Sequence, residues 1–246
     1  MRLSNFRTEN WSNMSATERL QALQEVEHSL AEEQERPERE IHSKQYKMDE
    51  DGVTLGEYDP NSSEIYINED FLTGENEQFN EYFNQYNALE TTCHEGRHAY
   101  QHDTMGENET FEHNMCGGYQ SPEDENVSRS DYRFQPIEDD ANNYADKKMN
   151  EFSSEFEDDP AFVDYREDRD LSNRADIKAA EAQYGEDYKA NIQAKVETDY
   201  QASQQNVTQY NNSLETTSSE QSEGIGQSED ASESTAQSIA DAGQAY

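Results

Sequence analysis

Residues 89–103 read LETTCHEGRHAYQHD, with histidines at 94, 98 and 102, each four residues from the next. Side chains four apart on an α-helix stand one above the other, so His94 and His98 can bring both imidazoles to one metal ion. His94, Glu95 and His98 form an HExxH pattern, in which the glutamate stands over the open coordination position. There it can take a proton from an attacking water, which is the chemistry of a zinc hydrolase. His102 does not extend the set. Eight residues along a helix is a rise of about 12 Å, too far for His94 and His102 to share an ion, so His102 reads as solvated or substrate-facing. The HExxHxxGxxH pattern, which supplies a third histidine from a turn, is absent too: position 101 is Gln and position 104 is Thr.

The third ligand must therefore come from another segment, and the candidates are Glu138, His113 and an acidic residue of the connection that follows the motif. Glu138 is best placed, in the first turn of an amphipathic segment, YRFQPIEDDANNYA. A ligand from a second helix crossing the first completes a tetrahedron with one water. Cys93, beside the first histidine, reads as a small buried residue rather than a ligand.

The elements that must position these residues are legible from periodicity. WSNMSATERLQALQEVEHSLAEEQERPER begins with Ser15 and Glu18 at capping-box spacing. Leu20, Leu23, Val26 (or Glu27) and Leu30 then recur at helical spacing, and Pro37 closes the helix. DGVTLGEYDPNSSEIYINED places Val53, Leu55 and Tyr58 before a turn and Ile65, Tyr66 and Ile67 after it, which predicts a hairpin or a two-strand corner. Phe79, Tyr82, Phe83, Tyr86 and Leu89 share one stripe leading into the histidines, on one helix or on two joined near residues 84–87. Residues 104–129 form a long irregular connection. Pro136 then opens a helix carrying Ile137, Ala141, Tyr144, Ala145 and Met149 on one face.

Composition bounds the rest. The 246 residues carry a formal charge of −38 and are only 31% hydrophobic, with a mean hydropathy of −1.28. Such acidity argues against nucleic acid or an anionic membrane surface as a partner, since both are polyanions. A lysine-poor, uniformly acidic surface also suits a high-salt habitat. No apolar run reaches a membrane-spanning length and no signal peptide is present, so a cytoplasmic protein is expected. Two cysteines make no disulfide framework. Past residue 155 the apolar density falls, which predicts a polar helical extension over 156–200. A Ser/Gln/Glu-rich tail over 201–246 has too few apolar residues to offset ordering entropy and is expected to be disordered.

HEGRHAYQ followed by YRFQPIEDDA resembles the gluzincin class of zincin metallopeptidases. More narrowly, it is similar to small bacterial domains of that class that pair HExRHAYQ with a QPxExDA helix. Those domains place an N-terminal helix and a G-x-Y…I-x-I-N strand pair before the motif, as LGEYDPNSSEIYIN does here. The resemblance spans roughly residues 10–155. It implies His94, His98 and Glu138 as ligands of a catalytic Zn2+ and Glu95 as general base. Gluzincins often carry an Asp four residues after the ligand glutamate to orient a histidine; that position is Asn142 here, with Asp140 two residues after Glu138. The resemblance also implies an oxyanion-stabilising Tyr or His, for which Tyr132 and His113 are available.

The expectation is thus an α+β protein: a mainly helical zincin-like domain with a small β element over 1–155, then the polar helical extension and the tail. Its expected activity is zinc-dependent hydrolysis of peptide bonds in a peptide or protein substrate. The competing expectation is an inactive zincin-fold binding module that works through its acidic tail.

Overall fold

The computed structural model describes residues 1–46, 54–74 and 84–222, with side chains as far as residue 209. It is mainly helical with one small sheet, an α+β fold. After a short helix α1 (Thr8–Trp11) comes α2 (Ala16–Glu33), capped by reciprocal hydrogen bonds between Ser15 and Glu18. Its buried face holds Leu23, Val26, Glu27 and Leu30. The helix ends before Pro37 because Glu35 takes a left-handed conformation (φ 53°) and reverses the chain.

Three strands follow: β1 (Ile41–Lys44), β2 (Gly56–Asp59) and β3 (Glu64–Asn68), in the order β1-β3-β2. The antiparallel β2–β3 pair is the expected hairpin, with Tyr58 opposite Ile65. β1 was not foreseen; it pairs parallel to β3, with Ile41 opposite Ile65. Val53 lies outside the described residues.

After the short α3 (Asp70–Thr73), α4 (Gln85–Asp103) carries the histidines. The Asn84 side chain accepts from the amides of Tyr86 and Asn87 and so caps the helix that begins at Gln85. Phe79, Tyr82 and Phe83 lie outside the described residues. The 104–129 connection is not wholly irregular, because Asn108 caps a short helix α5 (Glu109–Met115) within it. α6 (Arg129–Phe134) and α7 (Pro136–Phe152) are separated by Gln135, whose extended backbone is what the residue before a proline adopts.

The C-terminal part departs furthest from expectation. α8 (Pro160–Tyr184) and α9 (Tyr188–Ser222) are long helices, and they pack against the domain. Phe156, Phe162 and Tyr165 surround the fully buried Tyr86, so the core runs straight across the expected boundary at 155. Ile192 and Val196 are buried on α9. α9 lies directly on Gly118, where a Cβ would come within 2.5 Å of the Val196 carbonyl oxygen. Helix continues through residues 201–222, part of the segment expected to be disordered, with the docked first turns of α9 as its nucleus. Residues 223–246 lie outside the described residues. Among the described residues no helix is long and apolar enough to cross a membrane.

The contact of α2 with α4 is polar at its centre. Arg36 donates two hydrogen bonds to Glu27, of 2.6 and 2.8 Å, and Glu27 also accepts from the Arg39 amide. Both side chains are fully enclosed, and they rest on Gly96, where a Cβ would stand 3.0 Å from each. Glu27→Ala leaves the Arg36 charge buried without its partner. It is expected to lower unfolding stability by about 3–5 kcal/mol in urea titration, whereas the paired change Glu27→Leu, Arg36→Met costs far less.

Candidate metal centre

α4 and α7 cross so that His94, His98 and Glu138 converge. His94 Nε2 lies 3.4 Å from Glu138 Oε2, His98 Nε2 lies 3.5 Å from Glu138 Oε1, and the two Nε2 atoms are 3.0 Å apart. A direct ion-pair hydrogen bond would be roughly 2.7–2.9 Å long. Donors about 2.0–2.2 Å from a tetrahedral Zn2+ stand roughly 3.3–3.5 Å from one another. The two His–Glu separations are of the second length, though each runs to a different oxygen of Glu138, and the His–His distance is slightly short of it. Two imidazole nitrogens and one carboxylate also make a donor set suited to zinc. The residues present therefore fit the metal.

The sequence around α7 explains how Glu138 reaches this point. Asn114 on α5 accepts the Ile137 amide, one of the free donors of the helix N-terminus. The buried Gln135 side chain accepts from Asn114 and from the Gln120 amide, and donates to the Gln120 carbonyl. The first turn of α7 is thus held by the Asn114 side chain of α5 and, through Gln135, by the backbone of Gln120 in the loop after it.

Gln101, to which the sequence assigned no role, joins the two helices. It is fully buried. Its Nε2 donates to the Ile137 carbonyl and to Asp140, both at 2.8 Å. Those two obligate acceptors fix the amide orientation and turn Oε1 toward His98 Nδ1, 2.8 Å away. In its neutral form His98 then carries its hydrogen on Nδ1, which leaves Nε2 facing Glu138 and His94. Burial opposes a charge on His98, but the charges of Glu138 and Glu95 together with Gln101 outweigh it and raise its pKa to about 9. Burial likewise opposes the Glu138 charge, and the histidines more than reverse this, holding its carboxyl well below the usual range. The protein field thus favours positive charge where the donors meet.

Asp140 does not orient a histidine directly; it binds Arg97 at 2.7 and 3.1 Å and Gln101 as above. Asn142 turns back to the Glu138 carbonyl. The contact to a histidine that the resemblance implies from this helix is made instead by Gln101, on α4 itself.

Glu95 is buried. Desolvation pushes its carboxyl pKa up, offset in part by the nearby histidines and by a hydrogen bond from the Tyr58 amide of β2. Glu95, both histidines and Glu138 line a cavity of about 480 Å3 with Tyr58, Tyr119 and Tyr132. A second cavity of about 1020 Å3 adjoins it and shares Gly56, His94, Glu95 and Tyr132. Tyr132 thus belongs to the site, and its hydroxyl is kept protonated by the Glu138 charge and by burial. Tyr119, from the irregular loop, was not foreseen; burial and the charges of Glu138 and Glu95 raise its pKa as well.

The remaining candidates lie elsewhere. His113 bonds Glu197 at 2.6 Å and stacks on Tyr200 of α9, so it is neither third ligand nor oxyanion donor. His102 contacts the Tyr58 hydroxyl at 3.2 Å and helps seat β2 against α4. Gly56 permits that seating, since a Cβ there would come within 2.7 Å of the Thr91 methyl. Cys93 is a buried core residue.

The chain matches no protein-family model, no curated protein and no solved structure.

Gln101→Met keeps the volume and removes the amide. It is expected to weaken zinc binding roughly 10–100-fold in competition with a chromogenic chelator, with an unchanged circular-dichroism spectrum. Unchanged affinity would show that Gln101 does not orient His98.

Proposed function

We propose that this protein is a zinc-dependent metallopeptidase of the gluzincin type, hydrolysing peptide bonds in the cleft between β2 and α4. The observation that carries this reading is the convergence of His94, His98 and Glu138, with donor atoms 3.0–3.5 Å apart, beside a buried glutamate on an open cleft. The HEGRHAYQ and QPIEDDA motifs support the same reading.

His94, His98 and Glu138 would hold the zinc, which when bound supplies a Lewis acid for the scissile carbonyl and acidifies water. Glu95 receives the proton of the attacking water and delivers it to the leaving nitrogen. The Tyr58 amide holds this carboxylate in place, and burial raises its proton affinity toward that of a working base. Tyr132, hydrogen-bonded to Glu138, and Tyr119, bonded to Tyr132, keep their hydroxyl protons, and Tyr132 is the donor that would turn to the developing oxyanion. β2 is an edge strand bordering the cleft, so its outward backbone groups offer a template on which an extended peptide can lie.

Glu95→Gln tests this reading. The variant is expected to retain zinc by elemental analysis while hydrolysis of a mixed peptide library falls by roughly 10²–10⁴-fold. Activity equal to the unaltered protein would exclude Glu95 as the base, and absence of hydrolysis by the zinc-loaded wild type would remove the peptidase reading.

A further inference from the structure

The face of the sheet turned away from the core carries a second group of metal-ligand residues, apart from the cleft. Parallel pairing sets Ile41 opposite Ile65 and His42 opposite Tyr66. Ile41, Ile65 and Ile67 are buried, so strand alternation turns Glu40, His42, Glu64 and Tyr66 to the opposite face. His42 Nε2 lies 3.4 Å from Glu64 Oε1 and 3.9 Å from Glu40 Oε1. One donor atom from each of the three falls within 4.8 Å of the others.

Two features separate this group from an ordinary surface ion pair. The His42 ring is partly exposed, but its Nε2 is screened from solvent, and its nearest acceptor, Glu64 Oε1 at 3.4 Å, is too distant for a well-formed hydrogen bond. A buried nitrogen of this kind normally has a partner. Glu64 is also prearranged: the Tyr66 hydroxyl donates to Oε2 at 2.6 Å, which leaves Oε1 facing His42. A ligand carboxylate held by a neighbouring hydroxyl is a recurrent feature of metal sites. The 3.4 Å edge matches tetrahedral donor spacing, roughly 3.3–3.5 Å. Glu40 is well exposed and free to close the wider edge. Lys44, on the same strand, is engaged by Glu57.

We propose that Glu40, His42 and Glu64 form a second divalent-cation site, suited to Zn2+ by its one imidazole and two carboxylates, that clasps β1 to β3. Ligands from two strands place the ion across the parallel pairing, so binding stabilises the folded sheet by mass action. β3 also pairs with β2, so the clasp steadies the strand that borders the cleft.

The test uses untagged full-length protein and Zn2+ alone, read by elemental analysis after desalting and by thermal melting. Wild type is expected to bind one zinc more than His42→Ala, and Glu138→Ala is expected to keep the sheet-bound ion. In Glu138→Ala, zinc at a hundredfold above its Kd is expected to raise Tm by roughly 5–10 °C, and adding His42→Ala abolishes that rise. His42 is half-exposed, so its removal leaves the fold intact; Glu64→Gln provides a second, milder variant with the same expected loss. Equal zinc content in wild type, His42→Ala and Glu64→Gln would overturn the proposal. The outcome is independent of the cleft: if His94, His98 and Glu138 bind nothing, wild type still holds one ion and His42→Ala none.

Discussion

The angle and height at which α4 meets α7 decide whether this chain has a metal centre, and both are set by buried amide and carboxylate groups rather than by apolar packing alone. Gln101 satisfies Ile137, Asp140 and His98 at once. Sliding the helices by one residue would strand these groups inside the protein, at about 1–3 kcal/mol for each unsatisfied partner. The same contacts that fix the crossing fix the tautomer of His98. Stability and ligand orientation are therefore one constraint here. Arg97 reinforces it by pairing with Asp140 while lying over the rings of Tyr100 and Tyr144.

Charge is distributed to the same end. With 56 acidic and 18 basic side chains, cations are scarce, and several of them gather around α4. Arg36 satisfies the buried Glu27 behind Gly96. Arg169 pairs with Glu90 one turn before His94, and the Tyr165 hydroxyl donates to the same carboxylate. Each buried acid on or against this helix thus has a partner, apart from the groups that face the cleft. There Glu95 and Glu138 share the two histidines. The rest of the surface stays acidic and solvated, which accords with solubility and says little about fold.

Local signals carried much of this architecture. The capping box at Ser15, the β2–β3 hairpin, the proline at the start of α7 and the HExxH register are each contained in a few consecutive residues. Glu138 was also legible, because its place in the first turn of α7 follows from Pro136. β1 was not, since IHSK has no apolar alternation of its own and its partner strand lies more than twenty residues on. Gln101 and Tyr119 were missed for a related reason: a glutamine acquires its role from acceptors on another helix, and Tyr119 sits in a loop without periodicity. The C-terminal helices misled by composition. Their apolar residues are few, but Phe162, Tyr165, Ala180, Ile192 and Val196 all fall on buried faces, so low average hydropathy concealed a docked segment.

The measurement that bears most directly on the centre is anomalous diffraction at the zinc edge from crystals grown with Zn2+. The expected result is a peak about 2.0–2.2 Å from His94 Nε2, His98 Nε2 and a Glu138 oxygen, with Glu95 outside bonding distance. A zinc-replete crystal with no peak at that point, or with Glu138 turned away from the ion, would contradict the three-ligand centre and the function built on it.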